Sequence, residues 1–205
     1  MSDTWKDESI KFNNLYSENS WECKIPYFGK MVRNALIRRE ERALAFGGDL
    51  KGKIILDLGC GVGRFAIKAA SKGATVYGYD ISPAALKIAK EKVKIAGVAD
   101  RCTFYEANLA DVEFLTADIW FDLGCLQYIR DISSILHKLK DIKRFFSTLP
   151  QSGHWQNIPK KLYRSLLKGN PYRTYSKKDI HKLYAICGEV IIAPAGLEYF
   201  INSKS

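Results

Sequence analysis

From residue 52 onward, short apolar runs alternate with amphipathic stretches of helical period. KIILDLG is an apolar run ending in glycine and predicts a buried strand. RFAIKAASKG predicts a helix stopped by Gly73. ATVYGYD alternates as a strand does. Ser82-Pro83 then offers an N-cap and a proline at the first helical position, opening the amphipathic PAALKIAKEKVKIAG, which Gly97 closes. CTFYEA and DIWFDLGC predict a third and a fourth strand. DISSILHKLKDI carries Ile132, Ile135, Leu136, Leu139 and Ile142 on one stripe, so it reads as a helix. RFFSTL is a fifth strand, and SKKDIHKLYAICG is a helix capped by Ser176 and stopped by Gly188. EVIIAP and LEYFIN close the chain as two strands around the turn Ala195-Gly196.

Strands that alternate with helices over short connections imply a parallel sheet with both faces covered. The final hairpin demands one reversed strand. Residues 51–205 therefore form one α/β body, with 150–175 inserted between the fifth strand and the last helix. Loops at the carboxyl ends of such strands line the ligand crevice. Residues 1–50 read as an N-terminal helical lid or cap. There Met31, Val32, Ala35, Leu36, Ala43 and Leu44 recur at near-helical spacing before Gly47 and Gly48.

The chain has 205 residues, 47% of them hydrophobic, enough for one domain with a substantial core. No apolar run reaches a membrane-spanning length, and the polar N-terminus does not resemble a signal peptide. The five cysteines, Cys23, Cys60, Cys102, Cys125 and Cys187, form no C-x-x-C pair. Free thiols in a reducing cytoplasm are expected, without a metal site. The net charge of +10 is concentrated between Lys138 and Lys182, where twelve Lys/Arg face two Asp, while the remainder is neutral. Such a stretch serves either as a solvated face or as a receptor for an anionic partner, whether an acidic substrate, an anionic membrane surface or nucleic acid.

The chemistry is concentrated in ILDLGCGVGRF, Ile55 to Phe65, where Gly59, Gly61 and Gly63 follow the first strand. Glycine permits positive φ and close approach of a ligand. A phosphate-binding P-loop needs Lys and a hydroxyl after the last glycine, but Arg64-Phe65 stands there. A dinucleotide turn needs G-x-G-x-x-G, and the spacing here is G-x-G-x-G. Asp80, at the end of the second strand, suits a ribose diol. Asp57, two residues before Gly59, would repel a pyrophosphate and attract a cation. A nucleoside bearing a positive centre satisfies both acids, and S-adenosylmethionine is such a ligand.

ILDLGCGVGRF, VYGYDIS, CTFYEANL and FDLGCLQYIRD together resemble the class I S-adenosylmethionine-dependent methyltransferases. The resemblance spans residues 52 to about 149 and more loosely the closing strands. It implies a Rossmann-like α/β fold, with a seven-stranded, mostly parallel sheet, an antiparallel last strand and helices on both faces. It further implies that Asp57, Gly59, Cys60, Gly61, Gly63 and Cys125 surround the methionine part of the cofactor. By the same likeness, Asp80 takes the ribose hydroxyls, Ile81 lies on the adenine, and Asn108 with Leu109 flank the adenine edge. Asn108 departs from the Asp common in the family, but its amide oxygen can also accept from the adenine amino group. YRTYSKKDIHKL further resembles a stretch of the magnesium-protoporphyrin methyltransferases and of neighbouring bacterial enzymes of unassigned substrate, a likeness too short to carry the porphyrin over.

Methyl transfer from a sulfonium is an in-line displacement in which alignment is the protein's main contribution. A general base is needed only for a hydroxyl acceptor, and Tyr128, His154 and Tyr175 are the candidates near the strand tips. Tyr16, Trp21 and Tyr27 offer π-faces for the cation and the acceptor. Arg173 and Lys160-Lys161 could hold an acidic group of the substrate. The expected function is methylation of a small-molecule acceptor, including an anionic one. A nucleic-acid methyltransferase is the alternative, supported by the basic stretch; against it, FDLGCLQY stands where amino-group methylases of bases carry an N-P-P-Y type tetrapeptide. A catalytically silent binding module and a nicotinamide oxidoreductase are rivals from other classes.

Overall fold

The computed structural model describes residues 26–154, 173–196 and 198–204. Seven strands form one sheet: β1 Ile54–Leu58, β2 Thr75–Asp80, β3 Cys102–Glu106, β4 Ile119–Asp122, β5 Arg144–Pro150, β6 Val190–Ala195 and β7 Glu198–Ser203. The order across the sheet is β3-β2-β1-β4-β5-β7-β6. Pairing is parallel from β3 through β5, whereas β7 runs antiparallel to both of its neighbours. The reversed final strand inferred from the hairpin is therefore present. The strand order reverses direction between β1 and β4, and this is where an open α/β sheet leaves a crevice at its carboxyl edge.

Five helices flank the sheet among the described residues: α1 Pro26–Gly47, α2 Arg64–Ser71, α3 Pro83–Ile95, α4 Ile132–Leu139 and α5 Lys177–Tyr184. Their ends follow the local chemistry. Ser82 caps α3 by accepting from the Ala85 amide, with Pro83 in the first turn. Asp131 caps α4, and Ser176 with Asp179 forms a full capping box on α5.

Side chains alternate along each strand, so one residue in two serves each face. Ile55, Ile119, Phe121 and Phe146 join Ala43 of α1, Phe65, Ala66 and Ala69 of α2, and Ala89 and Val93 of α3 in one core. Leu56, Leu58, Trp120 and Phe145 join Ile135 and Leu136 of α4, with Ile180 and Tyr184 of α5, in the other. Trp120 stacks on Phe145 with ring centroids 4.6 Å apart. Burial on both faces is why these strands read as continuous apolar runs.

The second half of α1 belongs to this body. Phe46 packs its ring on Phe121 and Phe146, and Arg144 donates to the Phe46 carbonyl at 3.1 Å. Arg39 pairs with Glu198 at the start of β7, while buried Glu40 pairs with Arg64 and Lys68 of α2. Tyr27 falls in the first turn of α1. Tyr16, Trp21, Lys160, Lys161 and most of the 150–175 insertion lie outside the described residues. No helix among the described residues is long and apolar enough to cross a membrane.

Candidate functional site

The register places the tips of β1, β2 and β4 side by side: Asp57 pairs with Gly78 and Phe121, and Leu58 with Tyr79 and Asp122. The glycine turn leaves β1 at this edge. Gly59, Gly61 and Gly63 have φ of 70, 52 and 76°, a region that costs any residue with a Cβ about 1 kcal/mol or more. The amides of Gly59 and Cys60 both donate to the Tyr79 carbonyl, which ties the turn to β2. Gly63 is the left-handed cap from which α2 starts.

What a side chain would meet differs from one glycine to the next. A Cβ on Gly59 would lie 2.3 Å from the Cβ of Cys125, so this position is closed by the turn after β4. A Cβ on Gly63 would lie 3.1 Å from Ala89 of α3. A Cβ on Gly61 would meet no described atom within 4 Å. Gly61 is thus the glycine with open space in front of it, where a ligand can approach the bare backbone.

One carboxyl group borders that space, and a second is buried two residues before the turn. Asp80 accepts from the Gly61 amide at 2.8 Å and from the Ser82 amide at 2.9 Å, one bond to each oxygen. Each oxygen keeps a lone pair, so the ribose-binding assignment remains sterically and chemically available. Burial pushes the Asp80 pKa up, and the amides of Ser82, Gly61 and Ile81 oppose the rise. Asp57 is only 2% exposed, and its Oδ2 has no hydrogen-bond partner among the described residues. Burial, reinforced by the nearby acids Asp80, Asp122 and Glu40, raises its pKa to about 8. An ionised, half-satisfied carboxylate among three others is costly, and a positive ligand would relieve that cost. The residues present fit a cationic nucleoside.

The remaining cofactor candidates lie around this frame. Cys60 is buried and Cys125 half-buried, and burial raises both thiols well above their ordinary pKa, which keeps them protonated. Ile81 is 38% exposed, open enough to offer an apolar face. Leu109 is buried. Asn108 closes its own turn: Oδ1 accepts from the Ala110 amide at 3.2 Å, and Nδ2 donates to Asp111 at 2.9 Å. Its oxygen therefore already serves the backbone.

The acceptor-side candidates gather at the tips of β4 and β5. Tyr128 is half-buried and ends a 3-10 turn, Leu126–Tyr128, that leaves β4. His154 is half-buried just past the turn that follows β5. Tyr175 runs alongside that turn in parallel, bridged to Gln151, its amide bonded to the Pro150 carbonyl at 2.9 Å. The Tyr175 hydroxyl is buried and its pKa is raised by burial, with the neighbouring Arg173 pulling the other way. Arg173 comes close to that hydroxyl without a hydrogen bond of ordinary geometry. It instead gives one guanidinium nitrogen to the carbonyls of Ile129 and Arg130. That nitrogen braces the connection after β4.

Sequence reasoning passed over Asp122, Arg39 and Glu40. Asp122 had a signal: the tetrapeptide DLGC occurs twice, at Asp57–Cys60 and Asp122–Cys125, after adjacent strands. Arg39 and Glu40 had none, because their partners are distant in sequence.

A methyltransferase-domain family model matches residues 49–187. A Methanocaldococcus jannaschii protein, provisionally named a ribosomal RNA large subunit methyltransferase, is 28% identical over 83% of this chain and 47% of its own length. The sterol 4-C-methyltransferase strm-1 of Caenorhabditis elegans is 30% identical over 65% of this chain and 38% of its own. The chain thus spans less than half the length of these relatives. Among solved structures, the magnesium protoporphyrin IX methyltransferase of Synechocystis with bound S-adenosylhomocysteine superposes with a TM-score of 0.77, covering 99% of this chain and 97% of that one at 21% identity. At that identity the likeness is one of fold.

Proposed function

We propose, from the premise that this chain belongs to the methyltransferase-domain family, that it is an S-adenosylmethionine-dependent enzyme methylating a small-molecule acceptor, anionic ones included. The observation that carries the reading is the buried Asp57 with its unpartnered Oδ2, two residues before the glycine turn in which the Gly61 backbone is open. The cofactor supplies a methyl group on a positively charged sulfur. Asp57 and Asp80 bind and orient, the first by charge and the second by its free lone pairs toward a diol. Cys125 packs directly on Gly59 and would form one wall of the pocket.

On the acceptor side, Tyr128, His154 and Tyr175 are placed at the same carboxyl edge and are the groups that would take a proton from a hydroxyl acceptor. Tyr175, with its hydroxyl pKa raised, serves better as a hydrogen-bond donor to the acceptor than as its base. The small-molecule choice is supported by a likeness of fold over nearly the whole chain to a magnesium protoporphyrin IX methyltransferase. A second reading has its own support. The first of the curated relatives carries a ribosomal RNA name, and the basic stretch would suit RNA.

The deciding experiment supplies radiolabelled methyl donor with extracts divided into nucleic acid, protein and small molecules, and with magnesium protoporphyrin as a single added acceptor. Label in the small-molecule fraction supports the proposal. Label in RNA replaces it with the second reading. Binding of S-adenosylhomocysteine with no transfer to any fraction would point to a silent module.

A further inference from the structure

The same tetrapeptide, DLGC, ends β1 and recurs at the tip of β4, yet its two carboxyl groups are in opposite states. Asp57 keeps an oxygen unpartnered among the described residues. Asp122, with no solvent exposure, uses both. Its Oδ1 accepts from the amides of Gly124 at 3.1 Å, Cys125 at 2.6 Å and Leu126 at 3.1 Å. Its Oδ2 accepts from the Ser147 hydroxyl at 2.7 Å, and Ser147 lies 2.7 Å from the Tyr184 hydroxyl. Ser147 is the register partner of Asp122 across β4 and β5, so the sheet itself delivers the hydroxyl. Hydrogen bonds from amides to a buried carboxylate are roughly twice as strong as neutral ones.

The amides held by Asp122 belong to the turn whose Cys125 closes the space over Gly59. Other groups grip the same turn from outside. Arg39 donates to the Leu123 carbonyl at 3.0 Å, and Gln127 donates to the Gly124 carbonyl at 2.8 Å. A shift of about 1 Å in such a wall can cost two orders of magnitude in a site that works by alignment.

We propose that Asp122 is a positioning residue for cofactor binding: it draws the Gly124–Leu126 amides onto one oxygen and thereby sets Cys125 against Gly59. The inference rests on the S-adenosylmethionine reading above, because the wall it positions is the wall of that pocket. Ser147 supplies the second oxygen's partner and, with Tyr184 of the core that also holds Leu126, anchors the carboxyl group.

The test compares Asp122→Asn with Ser147→Ala in the full chain, measuring S-adenosylhomocysteine affinity by calorimetry and thermal stability on the same samples. Asn keeps the shape but offers a neutral acceptor to the three amides. We expect Asp122→Asn to lose at least tenfold in affinity. Ser147→Ala, which leaves Oδ1 and its amides untouched, should stay within about twofold of the native affinity even if it is equally destabilised. Affinity that falls in proportion to stability in both variants, or native affinity in Asp122→Asn, would overturn the proposal. Amide exchange of the native ligand-free protein provides a readout that needs neither variant nor cofactor. Gly124, Cys125 and Leu126 should be protected before any ligand is added, and solvent-like exchange there would also overturn it. If the native protein binds no S-adenosylhomocysteine, the functional reading fails, and the exchange data still decide whether Asp122 holds the turn.

Discussion

At the scale of single residues, Asp57 carries the most consequential tension in the molecule. Its pKa of about 8 lies far above the ordinary value of 3.8, chiefly because it is buried. The folded protein therefore binds a proton that the unfolded chain has released across most of that interval. The sign follows: this group leaves stability intact below the unfolded value and erodes it as pH rises toward 8, where the folded state must bear the buried charge. A cationic ligand favours the ionised form, so its binding expels the proton. Affinity for S-adenosylmethionine should therefore climb as pH rises from about 6.5, then level off above 8, and calorimetry at several pH values reads this directly. Asp57→Asn should flatten the profile and weaken binding by at least tenfold, about 1.4 kcal/mol. The same variant should be more thermostable than native at pH 9 without ligand, since it removes the charge that folding buries. A steep pH profile surviving in Asp57→Asn would assign the titration to another group.

At the scale of elements, some of the site was legible in the sequence and some was not, for a physical reason. Strands buried on both faces, the caps at Ser82 and Ser176, and the turn glycines are local properties, written within a few residues of where they act. The grip of Arg173 on Ile129 and Arg130, and of Arg39 on Leu123 and Glu198, joins segments dozens of residues apart or more; periodicity is blind to it. Glu40 is another such contact. It is 5% exposed and is held by Arg64 at 3.0 Å and by Lys68, so that α1 is fastened to the first turns of α2 just beyond the glycines. Arg64 occupies the place where a dinucleotide turn would have a third glycine, and the structure gives it this second use. The bases are more than a third exposed, which discounts the pairs, but the acid is buried and cannot recover its solvation. Glu40→Gln should cost about 1–2 kcal/mol, a fall of roughly 2–8 °C in thermal midpoint for a chain of this size. An unchanged midpoint would show that α1 is held by its apolar face alone.

At the scale of the whole molecule, charge divides the two readings of the acceptor. The excess of +10 falls between Lys138 and Lys182, and within its described part Lys138 is already occupied by the carbonyls of Ala110 and Val112 and by Glu113. Positive charge spent on the protein's own backbone is not available to phosphates. If RNA is the acceptor, the other bases of the stretch must neutralise phosphates and release their counterions. Affinity should then fall steeply with salt, with a log–log slope of about −0.7 per phosphate on a single strand. Six such contacts would remove roughly two to three orders of magnitude between 50 and 200 mM salt. The small-molecule reading predicts otherwise. Binding to a ribosomal RNA fragment should be weak and its slope should correspond to one or two phosphates, while methyl transfer to the small acceptor should change by only a few-fold over the same range, because one or two charges in a pocket are screened far less than an array on a surface. A titration of both processes on one preparation separates the readings: a steep RNA slope accompanied by label in RNA transfers the basic stretch from the protein's surface to its substrate, and a shallow slope leaves the choice of acceptor to the groups at the tips of β4 and β5.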